Sequence, residues 1–213
     1  VITPEYDAAN NFSDGLAIVE KNKKAFAIDK TGRVLTPGFD NMVVLEDTLL
    51  AIYLNEVSDT LGGWGICTRS GFVILAPAYD EIVSLNADLF SFRKDSLWGV
   101  VARNGTVIKP PSYISVEFVF RNFLRVTKNN KTGLIGLDGK EYLNIIYSHI
   151  YVPNKWIVAG YIDRKKDLLP KGWAAFTLTP ELFIPYGTDS IFRVGEYFVG
   201  AVENDSIACY FSR

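Results

Sequence analysis

GGWGICTRSGFVILAPAYDEI, residues 62–82, packs a Trp-Gly pair, a Gly seven residues past the Trp, a Pro and a Tyr-Asp pair into one short stretch. Such a stretch is either a local site, a nucleotide loop or a catalytic turn, or one copy of a unit that the chain repeats. Self-similarity at a fixed period marks a repeat architecture, and it is found here. Trp98-Gly99 has Gly105 at the offset where Trp64-Gly65 has Gly71, Thr132-Gly133 has Gly139, and the worn pair Ala25-Phe26 has Gly32. Trp173-Ala174 has Pro180 in that place, and Ile207-Ala208 comes last. The slots at 25, 64, 98, 132, 173 and 207 are separated by steps of 39, 34, 34, 41 and 34.

Further markers keep the same beat. Past the turn glycines stand Tyr79, Tyr113 and Tyr147, with Phe39 one residue early and Tyr6 at the start. An Asp slot follows, filled in Asp7, Asp40, Asp80 and Asp189. Two positions on, an apolar residue recurs as Ala9, Met42, Ile82, Val116, Ile150 and Ile191. The residue between varies freely, as a solvated position does. The quoted stretch is one copy of about six. Extra residues around 55–61 and 162–171 account for the two long steps, and both fall between the same two strands of their unit.

Within one unit, LFSF (89–92) alternates, WGVVA (98–102) is apolar on both faces and TVIK (106–109) is β-branched, which are strand patterns. Arg103-Asn104-Gly105 supplies a tight turn, with Gly where a positive φ is wanted. EIVSL (81–85) adds a fourth short strand. No window keeps a 3.6-residue period. The fold class is therefore all-β, built from six tandem β-meander repeats of three or four strands, cut by slot spacing at 1–34, 35–73, 74–107, 108–142, 143–182 and 183–213 of a single domain, 1–213. Trp64, Trp98 and Trp173 are read as packing residues, and Gly65, Gly99 and Gly133 as places where a neighbouring unit or turn comes close. Gly71, Gly105 and Gly139 are the turn residues. A small sheet with two apolar faces needs stacked neighbours on both sides.

The last unit stops after IACYFSR (207–213), without the strand that follows the turn elsewhere. The chain opens with VITPEYD (1–7), similar to VLTPGFD (34–40). This favours a propeller-like ring, in which the first strand completes the last unit, over an open solenoid-like array. Because the chain starts at Val1 without Met, it reads as a processed or trimmed product.

The pattern Trp-Gly-x-Ile-Asp-x-x-Gly-x-Val-Ile-x-Pro-x-Tyr-Asp, clearest in GGWGICTRSGFVILAPAYD, SLWGVVARNGTVIKPPSY and AFAIDKTGRVLTPGFD, resembles the WG-repeat (KWG-repeat) family over essentially the whole chain. The resemblance implies an all-β bacterial repeat domain, often in envelope or secreted proteins, which favours an extracytoplasmic place. It implies no activity.

Composition narrows the function classes. With 48% apolar and 22% charged residues the 213-residue chain is globular, not disordered. Net charge is -2 and no basic face is visible, so nucleic acid is not an expected partner. No run approaches a membrane helix. Cys67 and Cys209 either pair or are both buried thiols. Neither a phosphate loop nor a metal-ligand spacing occurs, so no cofactor or metal is expected. A Ser148-His149 pair lacks a triad spacing, and no catalytic residue is assigned. The Asp slot reads as bonding local backbone N–H groups rather than holding an ion.

What remains is a binding or scaffold module for another protein. The expected contact surface is the aromatic and basic stretch Trp156, Tyr161, Arg164, Lys165 and Lys166, with Asn55 and Asp59 in the other insertion. The alternative is a polysaccharide or cell-wall module that uses exposed aromatics such as Trp156, Tyr161 and Tyr197.

Overall fold

The computed structural model describes residues 5–46, 49–55, 62–163, 169–177, 179 and 181–211. These are strands and turns, with no helix among the described residues. Six antiparallel sheets follow one another along the chain, each a meander in which consecutive strands pair. Sheet one holds β1 (Ala8–Ala9), β2 (Leu16–Lys21) and β3 (Lys24–Asp29). Sheet two holds β4 (Asn41–Glu46), β5 (Leu49–Leu54), β6 (Gly63–Thr68) and β7 (Val73–Tyr79). Sheet three is β8 (Glu81–Asn86), β9 (Leu89–Lys94), β10 (Leu97–Ala102) and β11 (Val107–Tyr113). Sheet four is β12 (Ser115–Phe120), β13 (Phe123–Lys128), β14 (Lys131–Gly136) and β15 (Glu141–Tyr147). Sheet five is β16 (His149–Asn154), β17 (Ile157–Ile162), β18 (Gly172–Thr177) and β19 (Leu182–Thr188). Sheet six has β20 (Ser190–Arg193), β21 (Phe198–Glu203) and β22 (Ser206–Phe211). The chain groups into two compact units, Val1–Ser112 and Tyr113–Arg213.

The sheets are cut in a different phase from the spacing-based units. The strand after each Gly turn pairs back onto the Trp strand, so a sheet ends at its Tyr slot and not before that strand. In sheet one this fourth place is taken by residues 33–39, bonded to β3 through Leu35 N–H to Ala27 C=O and a mutual pair between Ala25 and Phe39. The Thr36 hydroxyl accepts the Ala27 N–H at 3.0 Å, which interrupts the ladder and leaves only isolated bridges.

Turn chemistry explains the connections. The second turn of sheets one, three, four and six is a two-residue hairpin at Asn22-Lys23, Asp95-Ser96, Asn129-Asn130 and Asn204-Asp205, with both φ values positive, between 48 and 68°. That is the turn whose twist matches a hairpin, and Asn and Asp tolerate it best. In sheets two and five the insertions stand in place of this turn. The third turn carries Gly32, Gly71, Gly105 and Gly139 at φ of 76 to 89°, each donating its N–H to the carbonyl three residues back.

The Gly of the Trp-Gly pair answers a demand from within its own sheet. A Cβ on Gly65 would lie 2.5 Å from the Leu75 carbonyl oxygen and 2.7 Å from the Pro77 nitrogen, and one on Gly99 2.7 Å from the Lys109 carbonyl oxygen. The fourth strand bulges over this point: Trp64 faces Tyr79 while Ile66 faces Leu75, so four residues of β7 span two of β6. The expected close approach of a neighbouring unit is thus made by the adjacent strand. Sheet one inverts the arrangement. Phe26 stands in the Gly slot, and Gly38 opposite makes room, since a Cβ there would lie 2.8 Å from the Phe26 ring.

The core sits between successive sheets and is made by the second and third strands. Leu50, Ile52 and Cys67 pack with Leu16, Ala27 and Phe39. Leu49, Ile66 and Leu75 pack with Phe90, Phe92 and Val101. In the second unit Leu134, Leu143 and Tyr147 meet Val158, Ile162 and Phe176, and Ile157, Ala159 and Ala175 meet Ile191 and Val199. Each fully buried Leu, Ile or Phe contributes about 1.5–3 kcal/mol over exposure. The phased tryptophans are not fully buried, and Trp173 packs against the edge of this core. Trp64, Trp98 and Trp173 are half-buried, each against its partner across the second turn: Tyr53 at 5.2 Å, Arg93 at 5.7 Å and Tyr161 at 5.2 Å. The Tyr slot does the stacking instead. Tyr147 is buried, and its ring fills the place a Cβ on Gly160 of the next sheet would need.

Candidate interaction surface

The proposed contact stretch divides between the two ends of β17. Trp156 precedes this strand in the first turn of sheet five, whereas Tyr161 lies near its far end, beside the insertion. Five residues of strand separate them by about 17 Å at the usual rise, so they form no single patch. Arg164, Lys165, Lys166 and Asp59 lie outside the described residues.

At the insertion end, Tyr161 is half-buried between Trp173 and His149, whose ring centroid lies 6.3 Å away. Lys131 donates to the Ser148 hydroxyl at 3.0 Å and to the Asp163 carboxylate at 2.8 Å. The Lys131 bond first, and a Ser148 bond after it, hold the Asp163 carboxyl down to about 2. His149 is exposed on β16, and the Ser148 hydroxyl faces Lys131, so the two neighbours assemble no nucleophile and base.

The Asp slot has one role throughout. Asp7, Asp40, Asp80 and Asp189 each accept, through Oδ2, the backbone N–H fifteen residues on: Asn22 at 2.8 Å, Asn55 at 2.9 Å, Asp95 at 3.0 Å and Asn204 at 3.1 Å. Each carboxylate closes the second turn of its own sheet, as the sequence suggested. Asn55 is thereby the first residue of the sheet-two insertion and is tied to its stem. Asp40 also takes Lys24 at 2.6 Å, and that bond holds its carboxyl below the ordinary range. In sheet five the acid has moved from the first position to the second, Ser148 and Asp163 being the pair. Among the described residues no three of His, Cys, Asp and Glu gather as a metal set. Cys67 is buried and Cys209 exposed, both free, which corrects both expectations for them; burial pushes the Cys67 thiol up to about 11.

The first turns of the second unit make a different surface. The Arg121 guanidinium lies over the Trp156 ring at 4.7 Å, and Lys155 lies over the same ring at 5.5 Å and over Tyr197 at 5.8 Å. Lys155 is ion-paired with Glu196, which raises the Lys155 pKa and lowers that of Glu196. Trp156 also packs against the Ile157–Ala159–Val199 cluster, so its ring is a half-buried keystone with cations on it. In the Glu196 turn that meets Lys155 stand exposed apolar side chains: Val194 at 51%, Tyr197 at 42% and Phe198 at 45%; Tyr151 on β16 is also exposed, at 39%. Of this group, the sequence had pointed to Trp156 and Tyr197 alone. Arg121, Lys155 and Glu196 each stand seven residues past the Asp slot of their repeat, at 114, 148 and 189, and that beat was the signal available for them.

In the first unit, a small open cavity of about 160 Å³ lies between sheets one and two, at Ala9, Ile18, Glu20 and Met42. Ala9 stands there in the slot that other repeats fill with Met, Ile or Val, and Glu20 is its one carboxylate.

Six tandem antiparallel meanders with Gly-fixed third turns define an all-β repeat protein. The model of the WG containing repeat matches residues 1–24, 64–98 and 98–131, three stretches that agree with the WG-repeat resemblance. No curated protein matches it. Among solved structures it is similar to Hsv2 of Kluyveromyces lactis, at 12% identity over 95% of this chain and 72% of that one, with a TM-score of 0.35. It is also similar to AztD of Citrobacter koseri, at 11% identity over 89% of this chain and 67% of that one, TM-score 0.32. A eukaryotic initiation factor matches at 11% identity over 93% and 72%, TM-score 0.35. Likenesses at this level carry no argument about architecture or function.

Proposed function

We propose that the chain is a non-catalytic docking module for another protein, and that it docks through the first-turn end of the sheets in its second unit. The observation behind this reading is the Arg121–Trp156–Lys155–Tyr197 chain of ring and cation contacts, with exposed Val194 and Phe198 in the same turn as Tyr197. Aromatic and Arg anchors surrounded by apolar surface are the composition of protein interfaces. The polysaccharide alternative keeps Tyr197 and Tyr151 but loses Trp156 as an open platform, since Arg121 and Lys155 already lie over it.

Affinity capture with the intact chain and with a Tyr197→Ala/Phe198→Ala variant tests the reading. A protein captured by the first and lost by the second, and then rebound after purification, is the expected result. A glycan array that lights up with the intact chain and fades with the same variant would instead establish the polysaccharide reading.

Closure of the six sheets into a propeller-like ring belongs to the same proposal. Its support is the likeness of VITPEYD (1–7) to VLTPGFD (34–40), together with the three-stranded sheet six. Spin labels near Tyr6 and Tyr210 at a short, narrow distance are expected, and a spread of several tens of ångströms is the outcome of an open array.

A further inference from the structure

We infer that the partner presents to this surface a peptide segment with a carboxylate beside an apolar or aromatic side chain. The inference rests on the docking reading above and adds the chemistry of what docks. Arg121 is the decisive residue. Other cations in exposed pairs have their acid at hand: Arg93 with Glu81, Arg125 with Glu117, Lys155 with Glu196. Among the described residues Arg121 has no carboxylate partner, and its guanidinium carbon lies over the Trp156 ring, 4.7 Å from the centroid. A cation–ring contact of this kind restrains the side chain without engaging its N–H donors with an acid, and a guanidinium so held can capture a carboxylate at two points. Arg121 is exposed in a turn, held at a φ of 48°, so the fork is presented outward from a backbone that is already set.

Other cations stand near it. Lys155 lies over the same ring, and Arg193 lies close enough to Glu196 to help lower its pKa. Apolar surface adjoins this charge at Val194, Tyr197 and Phe198. A carboxylate on Arg121 therefore puts the neighbouring side chain of the same peptide against the Tyr197 ring. Basic, neutral polar or anionic sugar ligands would satisfy one half of this arrangement and leave the other unmet.

The test is selection from a random twelve-residue peptide phage library on the immobilised chain, followed by affinity measurements with the recovered peptides. Expected are peptides enriched in Asp or Glu next to Phe, Tyr or Leu, weakened about tenfold by Arg121→Gln, the weight of one charge-assisted bond. Their affinity should also fall with added salt, and Lys155→Gln should weaken them less. Thermal unfolding of each variant is measured alongside, and Arg33→Gln in the first unit serves as a charge control that leaves affinity unchanged. Peptides lost with Tyr197→Ala yet indifferent to Arg121→Gln, Lys155→Gln and salt would overturn the acidic partner while leaving the docking surface standing. Peptides indifferent to Tyr197→Ala as well would overturn both.

Discussion

The two units of this chain are built by the same rules and differ at one set of positions. In each unit, apolar second and third strands form the core between successive sheets, and a Gly third turn and a capped or extended second turn connect the strands. The first turns are where they part. Among the described residues, seven and eight past the Asp slot, the first unit has Asp14-Gly15 and Ala87-Asp88, and the second has Arg121-Asn122, Lys155-Trp156 and Glu196-Tyr197. One set is acidic and small, the other larger, of mixed charge and with two aromatic rings. The strands on both sides pair alike, although Trp156 of the second set also packs on the core cluster below it. The difference is therefore one of surface chemistry placed on a constant frame, and it locates function at the turns rather than in the repeat signature.

The largest test of the constant frame is at the Trp-Gly pair. Gly65→Ala should cost about 1–3 kcal/mol by overpacking, because the atoms in the way are backbone of β7 and cannot rotate aside. The reverse change in the second unit, Ala174→Gly, removes a side chain already accommodated and should cost about 1 kcal/mol or less. Urea unfolding of both variants reads the contrast, and equal losses would mean that the bulge is not what selects Gly.

A second test uses the inverted pair in sheet one. Gly38→Ala alone should destabilise by about 1 kcal/mol through the clash with Phe26, and adding Phe26→Ala should recover part of that loss. Additive losses in this double-mutant cycle would deny that the two positions compensate one another.

Asp80→Ala is smaller. It removes the acceptor of the Asp95 N–H at an exposed turn and should lower stability by about 0.5–1 kcal/mol, whereas Ser148→Ala, where the acid sits at Asp163, should lower it less. The smallest effect concerns acid. Asp163 has its pKa lowered from the ordinary 3.8 to about 2, so the stability it lends is complete above the unfolded value and fades as pH falls from about 4 towards 2. Asp163→Asn should flatten the acid limb of a melting curve there, and an unchanged limb would assign the loss to other carboxylates.

Much of the frame was legible because it is written in residue types with narrow conformational choices. Gly at a positive φ and a 34-residue beat interrupted only at two insertions are not imitated by chance, and they led to the strands and turns. What was misjudged depends on register. Trp64, Trp98 and Trp173 looked like core because they are large and phased, but their place beside the second turn leaves them half-buried, and the buried Tyr113 and Tyr147 stand where the sequence gives no hint of depth. The close approach at Gly65 was assigned to a neighbouring unit or turn because a bulge in β7 has no signature beyond a Pro. Trp156 and Tyr161 were joined because they are close in the chain, although an extended strand carries residues apart faster than any other structure. Arg121 was overlooked because a single Arg in a turn is ordinary until its stacking partner, thirty-five residues on, is known.

The Asp slot has one more consequence. Asp40 holds the N–H of Asn55 as firmly as Asp80 holds that of Asp95, although the first bond stands before an insertion and the second before a two-residue turn. The stem of the hairpin is thus clamped at its mouth, and whatever lies beyond the clamp has no say in strand register. Natural variation can lengthen, shorten or replace that loop one repeat at a time without renegotiating the sheet, and a laboratory can do the same. Grafting a foreign loop at Asn129-Asn130 or Asn204-Asp205 would make this chain a carrier for displayed segments, with each repeat an independent socket.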